Sequence, residues 1–433
     1  MKNPNIIFMI SHDTGRYLNC YGHQVETPEL NRLAEEGVRF DRYFCPSPQC
    51  SPSRGSILTG RYPHNNGLIG LAHLGFHIDE NITTLPMALQ NAGYETSLIG
   101  FSHETIGETE QGVTSSTNQL GYDRYEEVPG SRSPEVAKRS IELLKEKADG
   151  SSDQPFFLNI GFEETHRPFG EYESYEDHPD DIEVLPYLPD TPNVRKDLAQ
   201  FHGSVKVLDQ AVGDIVRSLK ELNLEENTIV IYTTDHGIAF PRAKGTLKEV
   251  GLETALICYS PKLVNGGRVV SELLCNVDIM PTLLDLGGVD IPEGLDGKSF
   301  APLLKGADGE GREEFFCELT WHDKYHPMRG IHTNRYKFIR NFEDGPKIYM
   351  PYDIHSSLSG QDVREEFYVQ NEPEELYDLE NDPLEEQNLI HDSSYSEVAE
   401  TLRGKLRNWM ESTNDPLLNG PVPGIQAPEW DGE

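Results

Sequence analysis

The feature that most constrains this chain is a set of continuous apolar runs of strand length, each ending on titratable residues. "NIIFMI" (5–10) runs into Ser11-His12-Asp13 and "ETSLIG" (95–100) into Phe101-Ser102-His103. "PFFLNIGF" (155–162) runs into Glu163-Glu164-Thr165-His166-Arg167, and "TIVIYTT" (228–234) into Asp235-His236-Gly237. A run without polar alternation predicts a strand buried on both faces, as in a parallel sheet covered by helices.

Helical signals separate these runs. "TPELNRLAEEG" offers Thr27 as N-cap, Pro28 at the first helical position and Gly37 as stop. "TLPMALQNAG", the Ser-Pro-capped "SPEVAKRSIELLKEKA" and the stretch from Val194 to Leu222 follow. The alternation predicts an α/β fold, a mostly parallel sheet flanked by helices. Beyond Gly309 the pieces "EFFCEL", "RGIHT", "YKFIRNF" and "EELYDLE" precede the helical "YSEVAETLRGKLRNWM". They predict a smaller C-terminal antiparallel α+β domain, dividing the chain into 1–309 and 310–433. The stretch Glu163 to Thr191 is too long for a simple connector and is expected to be a substrate-side insertion.

Composition narrows the partners. With 73 acidic and 37 basic residues, a net charge of −36, nucleic acid and anionic membrane are excluded as favoured partners. No run approaches the apolar length of a membrane span. The start "MKNPNIIFMISHD" lacks a secretory cleavage pattern, so a cytoplasmic protein is expected. Six cysteines in 433 residues do not make a disulfide framework, in keeping with a reducing compartment.

Ligands of open α/β sheets bind at the carboxyl ends of the strands, so the four polar endings converge on one candidate site. Asp13 and Asp235, with His236, resemble a divalent-cation site, and carboxylate donors favour Ca²⁺ or Mg²⁺ over zinc. Cys50 lies in "CPSPQCSPSRGSILTG", just before a helical-looking segment. A nucleophile there gains from the helix dipole and free amides, with Arg54 and Arg61 close in sequence. The competing reading is a buried structural cysteine, against which its polar, Pro-rich flanks argue.

"CSPSRGSILTGR" resembles the signature of the type I sulfatases, C-x-P-x-R followed by x-x-x-L-T-G-R, the formylglycine-dependent branch of the alkaline phosphatase superfamily. "PNIIFMISHDTG", "TIVIYTTDHG" and "ELYDLENDPLEEQNL" are similar to other segments of that family. "HNNGLIGL", "PFFLNIGFEETHR", "DHGIAFP" and "YHPMRGIHTNRYKFIRN" look most like its heparan N-sulfatase (sulfamidase) branch. The resemblance implies an alkaline phosphatase-like fold and oxidation of Cys50 to formylglycine by a formylglycine-generating enzyme. It implies a Ca²⁺ site, or Mg²⁺, formed by Asp13, Asp235, His236 and the modified Cys50, with His12 standing where the family usually has another Asp. Arg54 would hold the formylglycine, His103 would orient or deprotonate its hydrate, His166 would protonate the leaving group and Lys244 would contact sulfate. Phe101 replaces a sulfate-contacting lysine of the family, which leaves Arg16, Arg167 or Lys248 to compensate. The implied activity is hydrolysis of sulfate esters or sulfamates, with a sulfated sugar of the N-sulfoglucosamine type favoured. The rival readings are a phosphonate monoester or phosphodiester hydrolase of the same superfamily, and a non-catalytic anion-binding relative whose Cys50 stays a thiol.

Overall fold

The computed structural model describes residues 3–105, 120–150, 153–169 and 172–425. Its strands are β1 (Asn5–Ser11), β2 (Val38–Phe40), β3 (Tyr43–Phe44), β4 (Glu95–Gly100), β5 (Arg124–Glu126), β6 (Phe156–Gly161) and β7 (Thr228–Thr234). There follow β8 (Leu256–Tyr259), β9 (Arg268–Val270), β10 (Leu274–Cys275), β11 (Glu314–Trp321), β12 (Tyr325–Thr333), β13 (Tyr336–Asn341) and β14 (Glu374–Asp378). Eight of them make the main sheet in the order β5-β4-β6-β1-β7-β8-β2-β9. Every pairing in it is parallel except those that β8 makes with β7 and β2.

The continuous apolar runs follow from burial on two faces. Along β1, Ile7 and Met9 join one core with Leu158, Ile160, Val230 and Tyr232, beneath the helices Ser133–Asp149 and Pro192–Glu221. Ile6, Phe8 and Ile10 join the other with Phe157, Ile229 and Ile231, beneath the helices Cys50–Thr59, Leu85–Asn91 and Ile279–Leu286. Successive side chains point to opposite faces, so both must be apolar. Register then sets the site. Ile10 lies opposite Gly161, Ser11 opposite Thr234, and Gly100 opposite Gly161, so four strand ends finish side by side.

The smaller sheet runs β11-β12-β13-β14, antiparallel throughout. The helix Ser396–Ser412 covers it, packing Leu402, Leu406 and Trp409 with Phe338 and Ile339. The residue-309 division falls between the helix Ala301–Leu304 and β11. The segment after β13 returns to the main sheet, placing Ile348, Met350, Ile354, Val363 and Phe367 in its first core. Among the described residues no helix is long and apolar enough to cross a membrane.

Some local expectations fail. Thr27 precedes the helix Pro28–Glu36 without capping it, because its hydroxyl donates to Asn31 Oδ1 and accepts from the Asn19 amide. Ser133 is the first residue of its helix rather than its cap, and its amide and hydroxyl both bond Glu164 Oε2. Past Tyr172 the expected insertion forms two single turns that pack on the long helix, with His202 bonded to Asp177 at 2.7 Å and Ile182, Leu185 and Leu188 buried.

Gly161 lets the chain close over the site. A Cβ there would lie 1.9 Å from the carbonyl oxygen of Phe101, a backbone atom that cannot swing away. Gly161→Ala is therefore expected to exceed the ~1–3 kcal/mol usual for overpacking and to displace Phe101. Urea unfolding measures the first effect and a crystal structure of the variant the second.

Candidate active site

Cys50 is the first residue of the helix Cys50–Thr59 rather than the residue before it. All ten residues of that helix are buried, and the small polar ones are bonded. Ser51 Oγ accepts from the Ala72 amide at 3.0 Å, and Ser53 Oγ donates to the Asp235 carbonyl while accepting from Asn276 Nδ2 at 2.7 Å. The carbonyls of Pro46 and Pro48 accept from Glu318 and Gly245 at 2.8 and 2.9 Å. This tethering presents the sulfur at a helix N-terminus, where amides and dipole favour an anion. Arg61 lies beyond the far end of the helix.

Around the sulfur the strand ends contribute five potential ligands. One donor atom from each of His12, Asp13, Cys50, Asp235 and His236 lies within 4.8 Å of the others, and all five residues are buried. Cys50 Sγ is 3.0 Å from His12 Nε2 and 3.4 Å from His236 Nε2. His236 Nδ1 donates to the Gly237 carbonyl, which turns Nε2 toward Asp13 Oδ1 at 3.1 Å, the orientation a metal-ligating imidazole takes. The amides of Asp13 and His236 both donate to Asp235 Oδ1 at 2.9 Å. Asp13 holds a left-handed backbone (φ 57°) that aims its carboxylate back at the cluster. This donor set fits a divalent cation.

Two cations balance the carboxylates. Arg54 Nε donates to Asp235 Oδ2 at 3.0 Å, and its buried Nη1 has no hydrogen-bond partner among the described residues. Lys244 Nζ donates to Asp13 Oδ2 at 2.8 Å and to Asp353 Oδ2 at 2.9 Å. Burial alone would raise the Asp13 carboxyl, but Lys244 and the surrounding imidazoles hold it well below the usual range. Burial would likewise raise the Cys50 thiol, and His12, Lys244 and His236 overcome it and pull it well below the usual thiol range. His12 is pulled down by burial, yet Cys50, Asp13 and Asp235 outweigh this and bring it to about 8.

His166 donates from Nδ1 to the Arg167 carbonyl at 2.7 Å, leaving Nε2 3.8 Å from Asp13 and 3.9 Å from Asp353. His103 packs edge-on to His12 and lies 3.3 Å from His73. Phe101 stacks on His12 with ring centres 4.8 Å apart, and the Arg54 guanidinium sits 5.1 Å from its centre.

The three compensating cations are engaged elsewhere: Arg16 with Glu253, Arg167 with Asp197, Lys248 with Glu375, each at 2.7 Å. The sequence reading missed the wall supplied by the C-terminal part. From it Asp353 reaches Lys244, and His322 faces Cys50. Burial lowers His322, but Asp323 and Cys50 outweigh it and raise it to about 9. One carboxylate among 73 acidic residues carries no local signal, which is why Asp353 escaped.

A parallel-rich sheet whose strand ends gather a buried cysteine, two carboxylates able to hold a cation, and flanking Arg and Lys suits the binding of an anionic ester. The Sulfatase family matches residues 4–289, and the family described as N-sulphoglucosamine sulphohydrolase, C-terminal, matches residues 242–360. The chain belongs to the sulfatase family, whose members here are sulfuric ester hydrolases. It is 31% identical to an ulvan-active sulfatase of Formosa agariphila over 96% of this chain and 82% of that protein. It is 27% identical to the N-sulphoglucosamine sulphohydrolase of Homo sapiens over 96% of this chain and 92% of that protein. A protein solved with its substrate D-glucosamine-2-N,6-O-disulfate shares the fold (TM-score 0.73, 20% identity, 97% of this chain and 99% of that one). So does a phosphonate monoester hydrolase of Agrobacterium radiobacter (TM-score 0.74, 19% identity, 95% and 96%).

His326 stacks on Tyr349 behind this wall, and burial drives it down to about 4, with Glu375 opposing. It is neutral when folded, whereas the unfolded chain takes up its proton below about 6.5. Its contribution to stability is therefore lost as pH falls from about 6.5 to about 4. His326→Phe is expected to shrink the acid-induced drop in urea midpoint across that window, measured against wild type.

Proposed function

We propose that this protein hydrolyses the sulfate ester or sulfamate of a sulfated saccharide, an N-sulfoglucosamine-like unit being favoured, through a formylglycine made from Cys50 and a divalent cation. The observation that carries the reading is Cys50 itself, at a helix N-terminus, beside five-donor geometry and an unpartnered guanidinium nitrogen of Arg54. The substrate rests on likeness: the match over residues 242–360, the human relative, and the glucosamine disulfate complex of the same fold. The shared fold of the phosphonate hydrolase does not separate the two chemistries, so the rival is settled by rates.

Asp13, Asp235, His236 and His12, with position 50, would hold the cation, which supplies charge neutralisation for the transferring group. Ca²⁺ is the favoured ion on the two carboxylates, and Mg²⁺ the second. Formylglycine supplies a hydrated aldehyde, with one hydroxyl as nucleophile and a second that releases sulfate. Arg54 and Lys244 stabilise charge on the sulfuryl oxygens as it develops. His103 orients the position-50 hydrate. His166, with Nδ1 fixed and Nε2 open to the site, donates a proton to the departing oxygen or nitrogen. Maturation needs a formylglycine-generating enzyme as partner. All six cysteines are free, which supports the cytoplasmic, reducing setting.

Asp13→Ala and Asp235→Ala are each expected to lose bound metal and turnover while keeping the far-UV circular dichroism spectrum, with metal analysis of the wild type returning Ca²⁺. Mass spectrometry of the tryptic peptide Tyr43–Arg54 should show exchange of the Cys50 CH₂–SH for CHO, with activity proportional to the converted fraction. Cys50→Ser should bind substrate and stall, since a serine ester lacks the second hydroxyl. Sustained turnover by protein whose Cys50 is an intact thiol would remove this mechanism.

A further inference from the structure

Asp353 gives the site a third carboxylate, and it differs from the other two in position. It sits on the short helix Tyr352–His355, held by the Tyr352 amide bonding Asp323 at 2.6 Å. Its side chain is 20% exposed, whereas those of Asp13, Asp235, Arg54 and Lys244 are at most 1% exposed. It is thus the charged member of the cluster that faces the entrance, 2.9 Å from Lys244 Nζ and 3.9 Å from His166 Nε2. The neighbouring acids are occupied otherwise. Glu104 accepts from Ser102 Oγ and the His103 amide, Asp323 pairs with His322, and Glu163 lies on the Nδ1 edge of His166.

The charges can be summed. Among the fixed charges, Asp13 and Asp235 are matched one for one by Arg54 and Lys244, so Asp353 is the carboxylate in excess and lowers the charge of the metal-loaded cradle by one unit whatever the imidazoles carry. A sulfate ester or sulfamate carries one negative charge and a phosphate diester also one, whereas a phosphate monoester near pH 8 carries two. Without Asp353 the cradle would carry one more unit of positive charge and would favour the dianion over the monoanion more strongly. Lys244 makes the same point locally, since an ammonium shared between two carboxylates offers little charge to a second anionic oxygen.

We propose that Asp353 sets the charge of the cradle to suit a monoanion, and so makes this site reject phosphate monoesters in favour of sulfate esters and sulfamates. The proposal rests on the sulfatase reading and on a divalent ion in the cluster. It assigns Asp353 a specificity role and makes no claim on the chemical step.

The test uses matured, metal-loaded enzyme at pH 8 and three substrates with one leaving group: p-nitrophenyl sulfate, p-nitrophenyl phosphate and methyl p-nitrophenyl phosphate. A full charge at ~4 Å in a partly buried site is worth several kcal/mol before screening, so Asp353→Asn should raise the phosphate-monoester-to-sulfate ratio of kcat/KM about 100-fold. The diester-to-sulfate ratio should stay at its wild-type value, and Asp353→Glu should behave as wild type. Diester and monoester ratios rising together, or neither moving, would overturn the proposal. A binding measurement guards against a variant that loses turnover altogether. Calorimetry on metal-loaded wild type and Asp353→Asn should show hydrogen phosphate gaining affinity relative to sulfamate in the variant, and no relative gain counts against the role. If wild type turns over none of the three substrates and no sulfated saccharide, the sulfatase reading fails, and the calorimetric comparison still decides the charge preference.

Discussion

Two carboxylates buried at adjoining strand ends make the demand that the rest of the site answers. Asp13 and Asp235 are fully buried, and an ion removed from water costs several kcal/mol even after relaxation. Each is met by a buried cation from a distant part of the chain, Arg54 for Asp235 and Lys244 for Asp13. Neither cation is stable there alone, so strand edge, Cys50 helix and Lys244 loop depend on one another. The parallel register of β1 and β7 brings the two acids together, and the Cys50 helix and the loop after β7 supply the cations that pair them. The five donor atoms gathered around them can in addition hold a cation.

The Ser/Pro-rich run around Cys50 shows the same economy of contacts. Its hydroxyls and carbonyls are spent on the Asp235 backbone, the residue-72 turn, the Lys244 loop and β11 of the smaller sheet. Bulky side chains would hold the helix away from these partners. The residues that dock the nucleophile, Pro46, Pro48, Ser51 and Ser53, thus stand before and between the fixed positions of the signature. The smaller sheet belongs to the site as well, since Glu318 anchors Pro46 and the return segment carries Asp353 to Lys244.

Much of this was legible because burial on two faces leaves a pattern that one window of sequence contains. The apolar runs located β1, β4, β6 and β7 nearly to the residue, and the side chains at their endings, His12, Asp13, His103, His166, Asp235 and His236, do converge in space. What escaped was set by contacts far along the chain. β2 and β9 are three residues each, too short for periodicity, and the reversal of β8 is decided by pairing. Thr27 has the chemistry of a cap but spends it on Asn19 and Asn31. Arg16, Arg167 and Lys248 looked free as cations because their carboxylate partners are 30 to 237 residues away. Asp353 looked like one more surface acid for the same reason.

The two departures from the family pattern, His12 and Phe101, are neighbours in space. The resemblance leads one to expect an acid at position 12 and a lysine at position 101; here an imidazole, held at about 8 against its burial by Cys50, Asp13 and Asp235, stacks on an uncharged ring at 4.8 Å. Losing the acid alone would leave the cluster one unit too positive, and losing the lysine alone one unit too negative. Lost together the two formal charges offset one another, and a ring stack stands at the two positions. Phe101 then turns its face to the Arg54 guanidinium at 5.1 Å, so the arginine keeps an electrostatic partner on that side. His12 retains a nitrogen 3.0 Å from Cys50, still able to bind a cation but softer than carboxylate. The exchange shifts the ligand set toward nitrogen, and it leaves Lys244 as the sole lysine in contact with the cluster among the described residues. That is the setting in which a single added carboxylate, Asp353, can decide which anion the site accepts.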